Sequence, residues 1–493
     1  MSLLAIDAGT TGVTALVVSD RGAIVARGYH EFPQHFPSDG WVEHEPNDIW
    51  SATLGAVGVA LSNTDDPPTA VGITNQRETA VLWDRETLGS PRRAIVWQDR
   101  RTSAMCDELR SAGHEPELTR STGLRLDPYF TATKLRWIAE HEPHTWAQVA
   151  GGRVAVGTVD SYLIARMSRG VSHITDHSNA SRTLLYDLQM RTWSPALCSL
   201  FGVPLDALPE IVASYGPVAM TDPRSFHGLE IPIAGIAGDQ QSALFGQGCY
   251  SVGASKCTYG TGAFVLANTG DVPVVSNSGL LTTVAWGHPD GRIDYALEGS
   301  VFVAGAVVQW LRDGLGLIST AAESEEIAGS VADSGGVVFV PALTGLGAPT
   351  WDPFARGTIV GIGRGTTRAH IVRAALEGIA FQVSDVVDSF ADSGHLPIAE
   401  LAVDGGAAAN NILCQIQADQ LGIPVRRTAV IETTGLGAAF LAGLGIGVWA
   451  STEELGELRE VDRTFEPCGV APSRRAWDDA VKRSQGWARP AAD

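Results

Sequence analysis

Asp239 stands where a carboxylate could activate a hydroxyl group. The segment 235–241, GIAGDQQ, follows an apolar stretch, and a glycine before the acid leaves room beside its side chain. An ionised carboxylate there could accept the proton of a substrate alcohol, as phosphoryl transfer to a hydroxyl requires. The alternative is an aspartate that caps a helix starting at Gln240, and the two roles are compatible.

A second polar cluster is the sequence TNQRE, which ends a predicted strand with Arg77 and Glu78. Such a pair is usually a solvated surface pair. In a closed cleft, however, it supplies both donors and acceptors for the hydroxyls of a polyol, with Tyr129 of the sequence DPYF as a third contact. Trp97 and Phe264 would be apolar walls for the carbon skeleton, although each alone is also typical of a hydrophobic core.

Turns rich in glycine and threonine follow predicted strands in both halves of the chain. Asp7 ends an apolar stretch and precedes the turn AGTTG at 8–12, and related turns lie at Tyr259–Gly262 and Gly405–Gly406. Glycine lets the backbone approach an anion, and threonine hydroxyls donate hydrogen bonds without adding charge. The acid is useful beside a phosphate only with a divalent cation. One such turn alone is more often a simple hairpin, but three together indicate a phosphate site.

The elements that must position these residues occur twice. A chain of 493 residues predicts two or three domains. Residues 3–27 predict a three-stranded antiparallel meander, followed by a helix that begins near Pro46, and Ser255–Gly270 repeats the strand, turn and strand of Leu3–Ser19. We therefore predict a duplicated domain with a cleft between the copies, divided into 1–245 and 246–493.

Composition excludes several classes of function. The formal net charge of −20 argues against nucleic acid or an anionic membrane surface as a partner. No G-x-x-x-x-G-K-[ST] motif of the P-loop class occurs in the chain.

The first residues form no signal peptide pattern, and the apolar stretch 435–450 is glycine-rich and short for a membrane span, so a cytoplasmic protein is expected. The six cysteines form no C-x-x-C pair, and we expect reduced, buried thiols.

The three turns resemble those of the actin, hexokinase and heat-shock-ATPase superfamily. That resemblance implies an α/β fold of two duplicated ribonuclease-H-like (actin-like ATPase) domains, with mixed β-sheets flanked by helices and an interdomain cleft. Longer segments resemble the FGGY carbohydrate kinases and, within that family, those that act on glycerol. Among them are GITNQRET (72–79), TGLRLDPYF (122–130), GIAGDQQSALFGQ (235–247), ALEGSVFVAGAVVQWLRD (296–313) and VDGGAAANN (403–411).

The resemblance implies a role for each matching residue. Asp239 would be the general base, and the side chains that bind the hydroxyls and carbons of glycerol would be Arg77, Glu78, Trp97, Tyr129, Asp239, Gln240 and Phe264. The nucleotide would be contacted by Thr10, Thr11, Gly12, Thr261, Gly305, Gln309, Gly406 and Asn410. Mg²⁺ would lie near Asp7 and Asp239. The implied reaction is ATP-dependent phosphorylation of glycerol to sn-glycerol 3-phosphate in glycerol catabolism; whether the protein is a monomer or a homo-oligomer (dimer or tetramer) stays open.

One departure keeps an alternative open. The first turn of the family usually reads G-T-T-S-S-R, whereas here Thr14 stands in the place of the arginine. Plainer turns of this kind occur among sugar kinases, so a kinase for another polyol or a ketose, of the xylulose, gluconate or erythritol type, is the nearest alternative. An actin-like or chaperone-like ATPase is a more distant one, because such a protein has no use for Arg77, Glu78, Tyr129 and Asp239 arranged as a pocket.

Overall fold

The computed structural model describes residues 1–394, 396–469 and 472–489. The remaining positions all fall in the predicted second half, 246–493, and lie outside the described residues.

The strands follow one another along the whole described chain. In chain order they are β1 Ser2–Ala8, β2 Gly12–Ser19, β3 Ile24–Glu31, β4 Glu43–His44, β5 Pro68–Asn75, β6 Val81–Asp84, β7 Ala94–Ile95, β8 Val154–Gly157, β9 Ile174–Asp176, β10 Tyr186–Asp187, β11 Thr192–Trp193, β12 Glu210–Val212, β13 Tyr215–Met220, β14 Pro232–Gly238, β15 Ser255–Tyr259, β16 Ala263–Gly270, β17 Leu281–Gly287, β18 Ile293–Val301, β19 Val338–Val340, β20 Thr358–Val360, β21 Leu401–Asp404, β22 Val425–Thr428 and β23 Val461–Phe465.

Helices alternate with these strands. They are α1 Pro46–Ser62, α2 Ser103–Ser111, α3 Glu115–Thr122, α4 Thr131–His141, α5 Pro143–Ala150, α6 Val159–Met167, α7 His177–Ala180, α8 Pro195–Phe201, α9 Asp239–Gly246, α10 Gly305–Asp313, α11 Glu323–Gly329, α12 Arg368–Gly394, α13 Asn411–Leu421, α14 Thr433–Gly445, α15 Thr452–Glu457 and α16 Arg474–Ser484. Two short 3₁₀ turns, Leu205–Ala207 and Gly406–Ala409, complete the set.

Two large mixed sheets share one arrangement. The first has the order β13-β14-β5-β1-β2-β3, in which β1 and β14 both run parallel to β5 and the outer pairs are antiparallel. The second has the order β17-β18-β16-β15-β21-β22-β23, in which β21 runs parallel to both β15 and β22. Apart from the additional β17, the directions repeat strand for strand. This recurrence confirms the predicted α/β fold of two duplicated domains.

The central strands are apolar because both of their faces are covered. On β1, Leu4 and Ile6 pack in a cluster with α1, whereas Leu3 and Ala5 pack in a cluster with α14. A strand that is covered on both faces reads as a continuous apolar run. The predicted meander, β1 to β3, and the predicted helix near Pro46, which is α1, are both present.

Helices α9 and α14 cross between the two sheets at glycine. A Cβ atom on Gly437 of α14 would lie 1.9 Å from the carbonyl oxygen of Ser242 on α9, and one on Gly246 would lie 2.2 Å from that of Thr433. Glycine at these positions lets the helix backbones touch. Helix α9 follows β14 of the first sheet, and α14 follows β22 of the second. Their crossing therefore sets how the two halves meet at the base of the cleft.

The six cysteines do not share one environment. Five cysteines are buried, but Cys468 is exposed, so the expectation that all thiols are buried is wrong for that residue. It follows β23 near the chain end, where little packs over it. Among the described residues, the structure contains no helix with the length and apolar character needed to cross a membrane.

Candidate active site

The carboxyl ends of three parallel strands bring the first set of predicted residues to one edge of the sheet. Asp7 near the end of β1 pairs with Thr74 of β5, and Gly238 at the end of β14 pairs with Asn75. The residues that follow β5 and β14 are therefore neighbours, although more than 150 positions separate them in sequence. Crevices outside the carboxyl ends of parallel strands are the usual ligand sites of such sheets.

Arg77 is the centre of this edge. Its Nε lies 3.0 Å from an Oδ atom of Asp239, and its Nη2 donates to the hydroxyl of Tyr129 at 3.3 Å. Its two Nη atoms also bind the carboxylate of Glu298 at 2.5 and 3.2 Å. The Arg77 side chain is only 2% exposed and that of Glu78 only 1%, so the pair is buried and is not the solvated surface pair that such a sequence usually forms. A buried guanidinium needs this many acceptors because each unpaired donor costs free energy.

Glu78 is held by a second arginine. Its backbone has a φ of 61°, a left-handed conformation that is uncommon outside glycine, and its side chain is buried. Arg182 donates to Glu78 at 2.7 Å and to Glu298 at 3.0 Å. Burial raises the pKa of Glu78, although Arg77 and Arg182 oppose the effect. The two arginines and two glutamates form a charge-neutral network, which we call the buried quartet: Arg77, Glu78, Arg182 and Glu298.

Asp239 is the accessible carboxylate of this group. Its side chain is 29% exposed, whereas those of the buried quartet are at most 2% exposed. It is the first residue of α9, and Gly238 occupies the N-cap position, so Asp239 is not the cap residue itself. One Oδ atom accepts a hydrogen bond from the backbone N–H of Gln240 at 2.7 Å. A Cβ atom on Gly238 would lie 2.7 Å from Arg77, which explains the glycine before the acid.

The predicted aromatic walls lie in two places. Trp97 is half-buried, packs edge-on against Tyr129 with ring centroids 5.7 Å apart, and donates from Nε1 to the hydroxyl of Thr10 at 3.0 Å. It therefore connects Tyr129 to the glycine-threonine turn at 8–12. Phe264 is half-buried on β16, opposite Thr258 of β15, where it packs against the core that also contains α9 and α14.

A large cavity lies at the second sheet. It has a volume of about 730 Å³, and five residues predicted to bind nucleotide line it: Thr261, Gly305, Gln309, Gly406 and Asn410. Thr10, Thr11 and Gly12 are not among its lining residues and lie at the first sheet instead. A cavity of this size accommodates a nucleotide or another ligand of similar dimensions.

Glycine is required where the glycine-rich turns of the second sheet approach their neighbours. Gly405 has a φ of 85°, and a Cβ atom there would lie 2.4 Å from the carbonyl oxygen of Tyr259. A Cβ atom on Gly305 would lie 2.6 Å from the carbonyl oxygen of Gly260. Asn410 caps α13 by accepting from the backbone N–H of Leu413, so its position follows from the start of that helix.

Comparison with known proteins identifies the family. Residues 2–246 match the N-terminal domain, and residues 255–446 the C-terminal domain, of the FGGY family of carbohydrate kinases. The chain belongs to this family. A relative from Dechloromonas aromatica (strain RCB), named glycerol kinase, is 52% identical in an alignment of 494 positions that covers 99% of this chain and 98% of that protein.

Solved structures agree with the fold of this carbohydrate kinase. Glycerol kinase of Plasmodium falciparum with ADP superposes with a TM-score of 0.91 at 34% identity and covers 98% of each chain. A ligand-bound xylulose kinase from Lactobacillus acidophilus superposes with a TM-score of 0.84 at 21% identity, over 98% of this chain and 96% of that chain. The second likeness shows the fold alone.

The carboxyl group of Asp7, near the end of β1, is buried close to other carboxylates. Burial, and then the carboxylates of Asp239 and Glu432, raise the pKa of Asp7 to about 8. Thr14, which replaces the usual arginine of the family, is the cross-strand partner of Asp7. A neutral threonine, and not a cation, therefore lies across the strand pair from this acid. Within the described residues, no cluster of three or more His, Cys, Asp or Glu side chains is placed to hold a metal ion.

Several polar residues of this site were not singled out from the sequence. Glu298 lies in the middle of β18, where all nine residues are buried, and Arg182 follows α7 with 0% exposure. Lys256 on β15 is also buried, and its Nζ donates to Oε1 of Gln240. For Glu298 the available signal was a charged residue inside an apolar segment, which is rare unless the charge is paired, whereas Arg182 and Lys256 lie in more polar segments without that signal.

Proposed function

We propose that this carbohydrate kinase phosphorylates glycerol to sn-glycerol 3-phosphate with ATP. The observation that carries the proposal is the accessible Asp239 carboxylate beside Arg77, which is itself held by Glu298 and Tyr129. A small polyol needs a donor and an acceptor at each hydroxyl, and this edge offers both. The name of the 52% identical full-length relative supports glycerol rather than a sugar.

Each residue of the pocket has a distinct task in this proposal. Arg77, Glu78 and Tyr129 bind the hydroxyls and orient the substrate, while Trp97 packs against its carbon atoms. Asp239 accepts the proton of the attacking hydroxyl as its oxygen bonds to phosphorus. Because Arg77 and Glu78 are already buried and paired, little reorganisation is needed when the substrate binds, and this preorganisation lowers the barrier.

The nucleotide is proposed to occupy the cavity at the second sheet, with its phosphates directed toward the turn of Thr10, Thr11 and Gly12. Thr261, Gly305, Gln309, Gly406 and Asn410 would contact it from the cavity side. In this division, residues 1–245 bind the polyol and carry the catalytic acid, and residues 246–493 bind ATP. Closure of the two halves would exclude water, which could otherwise accept the phosphoryl group.

The residues near Asp7 fit Mg²⁺. The carboxylates of Asp239 and Glu432 disfavour a negative charge on Asp7, and a divalent cation would offset this effect. Mg²⁺ is usually held by one or two carboxylates together with substrate phosphates, so the lack of a larger protein cluster is compatible with it. Bound there, the ion would neutralise charge on the phosphate oxygens. Asp7 and Asp239 are the proposed protein ligands.

A substrate panel tests the proposal. ADP release should be measured with a coupled assay in the presence of glycerol, dihydroxyacetone, erythritol, xylulose and gluconate, with Mg²⁺ and with Mg²⁺ chelated. We expect the highest kcat/KM with glycerol and no turnover without the metal. A higher kcat/KM with xylulose, gluconate or erythritol would replace glycerol by that substrate. ATP hydrolysis that is independent of every polyol would reject a kinase function in favour of an ATPase.

A further inference from the structure

Lysine is very rare in this chain, and its placement is unusual. Only three of the 35 basic residues are lysines, namely Lys134, Lys256 and Lys482. Lys134 and Lys256 are both 0% exposed, whereas Lys482 lies on the surface of α16. Lysine is among the residues least often fully buried. A chain that otherwise uses arginine therefore retains lysine at two buried positions, and both lie beside the proposed polyol pocket.

Lys134 shows what a compact ammonium group does in such a place. Its Nζ donates to the carbonyl oxygens of Pro128, Tyr129 and Phe130, so all three N–H bonds are used beneath the turn that presents Tyr129. The planar guanidinium of arginine cannot direct three donors from one small centre. Lysine at a buried position in this protein thus marks a site that needs several donors converging in little space.

Lys256 donates to two side chains, one from each half of the molecule. Its Nζ donates to Oε1 of Gln240 on α9 and to the hydroxyl of Thr258 at 2.9 Å. Thr258 immediately precedes the turn of Tyr259, Gly260 and Thr261, all of which line the nucleotide cavity. Gln240 follows Asp239 directly. The ammonium group therefore connects the residue beside the catalytic acid to the strand that carries the nucleotide turn.

This contact determines which end of the Gln240 amide is available. An ammonium group only donates, so the amide must present its oxygen to Lys256, and its NH₂ group is left to act as a donor elsewhere. No described residue accepts a hydrogen bond from that NH₂ group. Burial lowers the pKa of Lys256, and the carboxylate of Asp404 opposes this effect, so the cation is supported by an acid of the second sheet.

We infer that Lys256 is a positioning residue, which fixes the Gln240 amide so that its NH₂ group donates to a hydroxyl of the polyol. The inference rests on the proposed function, since it assigns Gln240 to the polyol. A compact ammonium group, with three donors on one atom, reaches both Gln240 and Thr258 at full burial.

A double-mutant cycle tests the inference. Lys256→Met keeps the length of the side chain and removes the donor, and Gln240→Ala removes the group on which it acts. Each single variant should raise KM for glycerol about tenfold, with a smaller change in KM for ATP, because a charge-assisted hydrogen bond is lost. The KM for glycerol of the double variant should be no higher than that of the more impaired single variant. Lys482→Met is the matched control, with kinetics and melting temperature equal to those of the unmodified protein.

Two results would overturn the inference. If the effects of Lys256→Met and Gln240→Ala multiply, the two side chains act independently. If Lys256→Met has the glycerol KM of Lys482→Met, the ammonium group does not position the pocket.

A third variant keeps the test valid if Lys256→Met does not fold. Gln240→Glu retains an acceptor for Lys256 but has no NH₂ group, so it should keep the melting temperature and lose glycerol affinity about tenfold in calorimetry. Unchanged glycerol affinity in Gln240→Glu would reject the donor role. The unmodified protein is first assayed on the polyol panel; if another polyol is preferred, the proposed function fails while the cycle is carried out with that polyol.

Discussion

The guanidinium of Arg77 and the carboxylate of Glu298 form a bidentate ion pair, with contacts of 2.5 and 3.2 Å, across the base of the cleft. Arg77 follows β5 of the first sheet, and Glu298 lies in β18 of the second. Burial by itself would raise the pKa of Glu298, but Arg182 and Arg77 lower it to about 2. One carboxylate of the second half thus holds both arginines of the first half in place.

Glu298→Gln should destabilise the protein and weaken the pocket together. It leaves Arg77 and Arg182 buried with too little negative charge, and removing one partner of a buried ion pair typically costs about 3 to 5 kcal/mol of unfolding free energy. We expect a lower urea midpoint and a higher KM for glycerol. Glu117→Gln, which removes an exposed pair with Arg120, is the control and should change the midpoint very little. Equal midpoints for the two variants would contradict a structural role for the pair.

Asp239→Asn tests the assignment of the base. Asparagine has nearly the same shape and can still accept the hydrogen bond from the backbone N–H of Gln240, but it cannot take a proton. We expect an unchanged melting temperature, measurable glycerol binding and a kcat that falls by roughly 10²-fold to 10⁴-fold. If Asp239 were needed only to start the helix, the Asp239→Asn variant would keep its kcat. Retention of more than about a tenth of the unmodified kcat therefore argues against general-base catalysis.

Asp7→Asn should stabilise the free protein while it impairs turnover. The pKa of Asp7 is raised from 3.8 to about 8, so between these values the folded state binds more protons than the unfolded state. The free energy of unfolding therefore falls as pH rises from about 4 to about 8. Asparagine removes this penalty, and its advantage in melting temperature should grow across that range. Melting curves without Mg²⁺ at pH 5 and pH 8 check it; an equal difference at both would contradict the raised pKa.

Trp97→Phe should separate packing from hydrogen bonding. Phenylalanine keeps an aromatic wall beside Tyr129 but removes the donor to the hydroxyl of Thr10. Because a single hydrogen bond contributes about 0.5 to 1.5 kcal/mol, we expect KM for ATP to rise about threefold to tenfold and KM for glycerol to rise less. Thr10→Val removes the same bond from the other side and is the companion variant. A larger effect of Trp97→Phe on glycerol than on ATP would show that Trp97 acts mainly as a wall.

The duplicated fold was predictable because its signals are local. The apolar stretches, the glycine and threonine turns and the start of α1 at Pro46 each depend on residues that are close in sequence, and their repetition in the second half indicated two similar sheets. Asp239 and the pair Arg77 and Glu78 could be singled out for the same reason, since each ends a strand next to a glycine or within a short polar segment.

The partners of those residues were decided only by the tertiary structure. Arg77 and Glu298 are 221 positions apart, and Arg182 and Glu78 are 104 apart. A charged residue inside an apolar strand does not itself indicate which opposite charge it will meet. The pairs that Glu298 makes with both arginines follow from the crossing of α9 and α14, which brings the two sheets together and buries the arginines where only paired charges are stable. The sequence therefore determined which side chains can do chemistry, and tertiary packing, within the first half and between the halves, determined which others hold them.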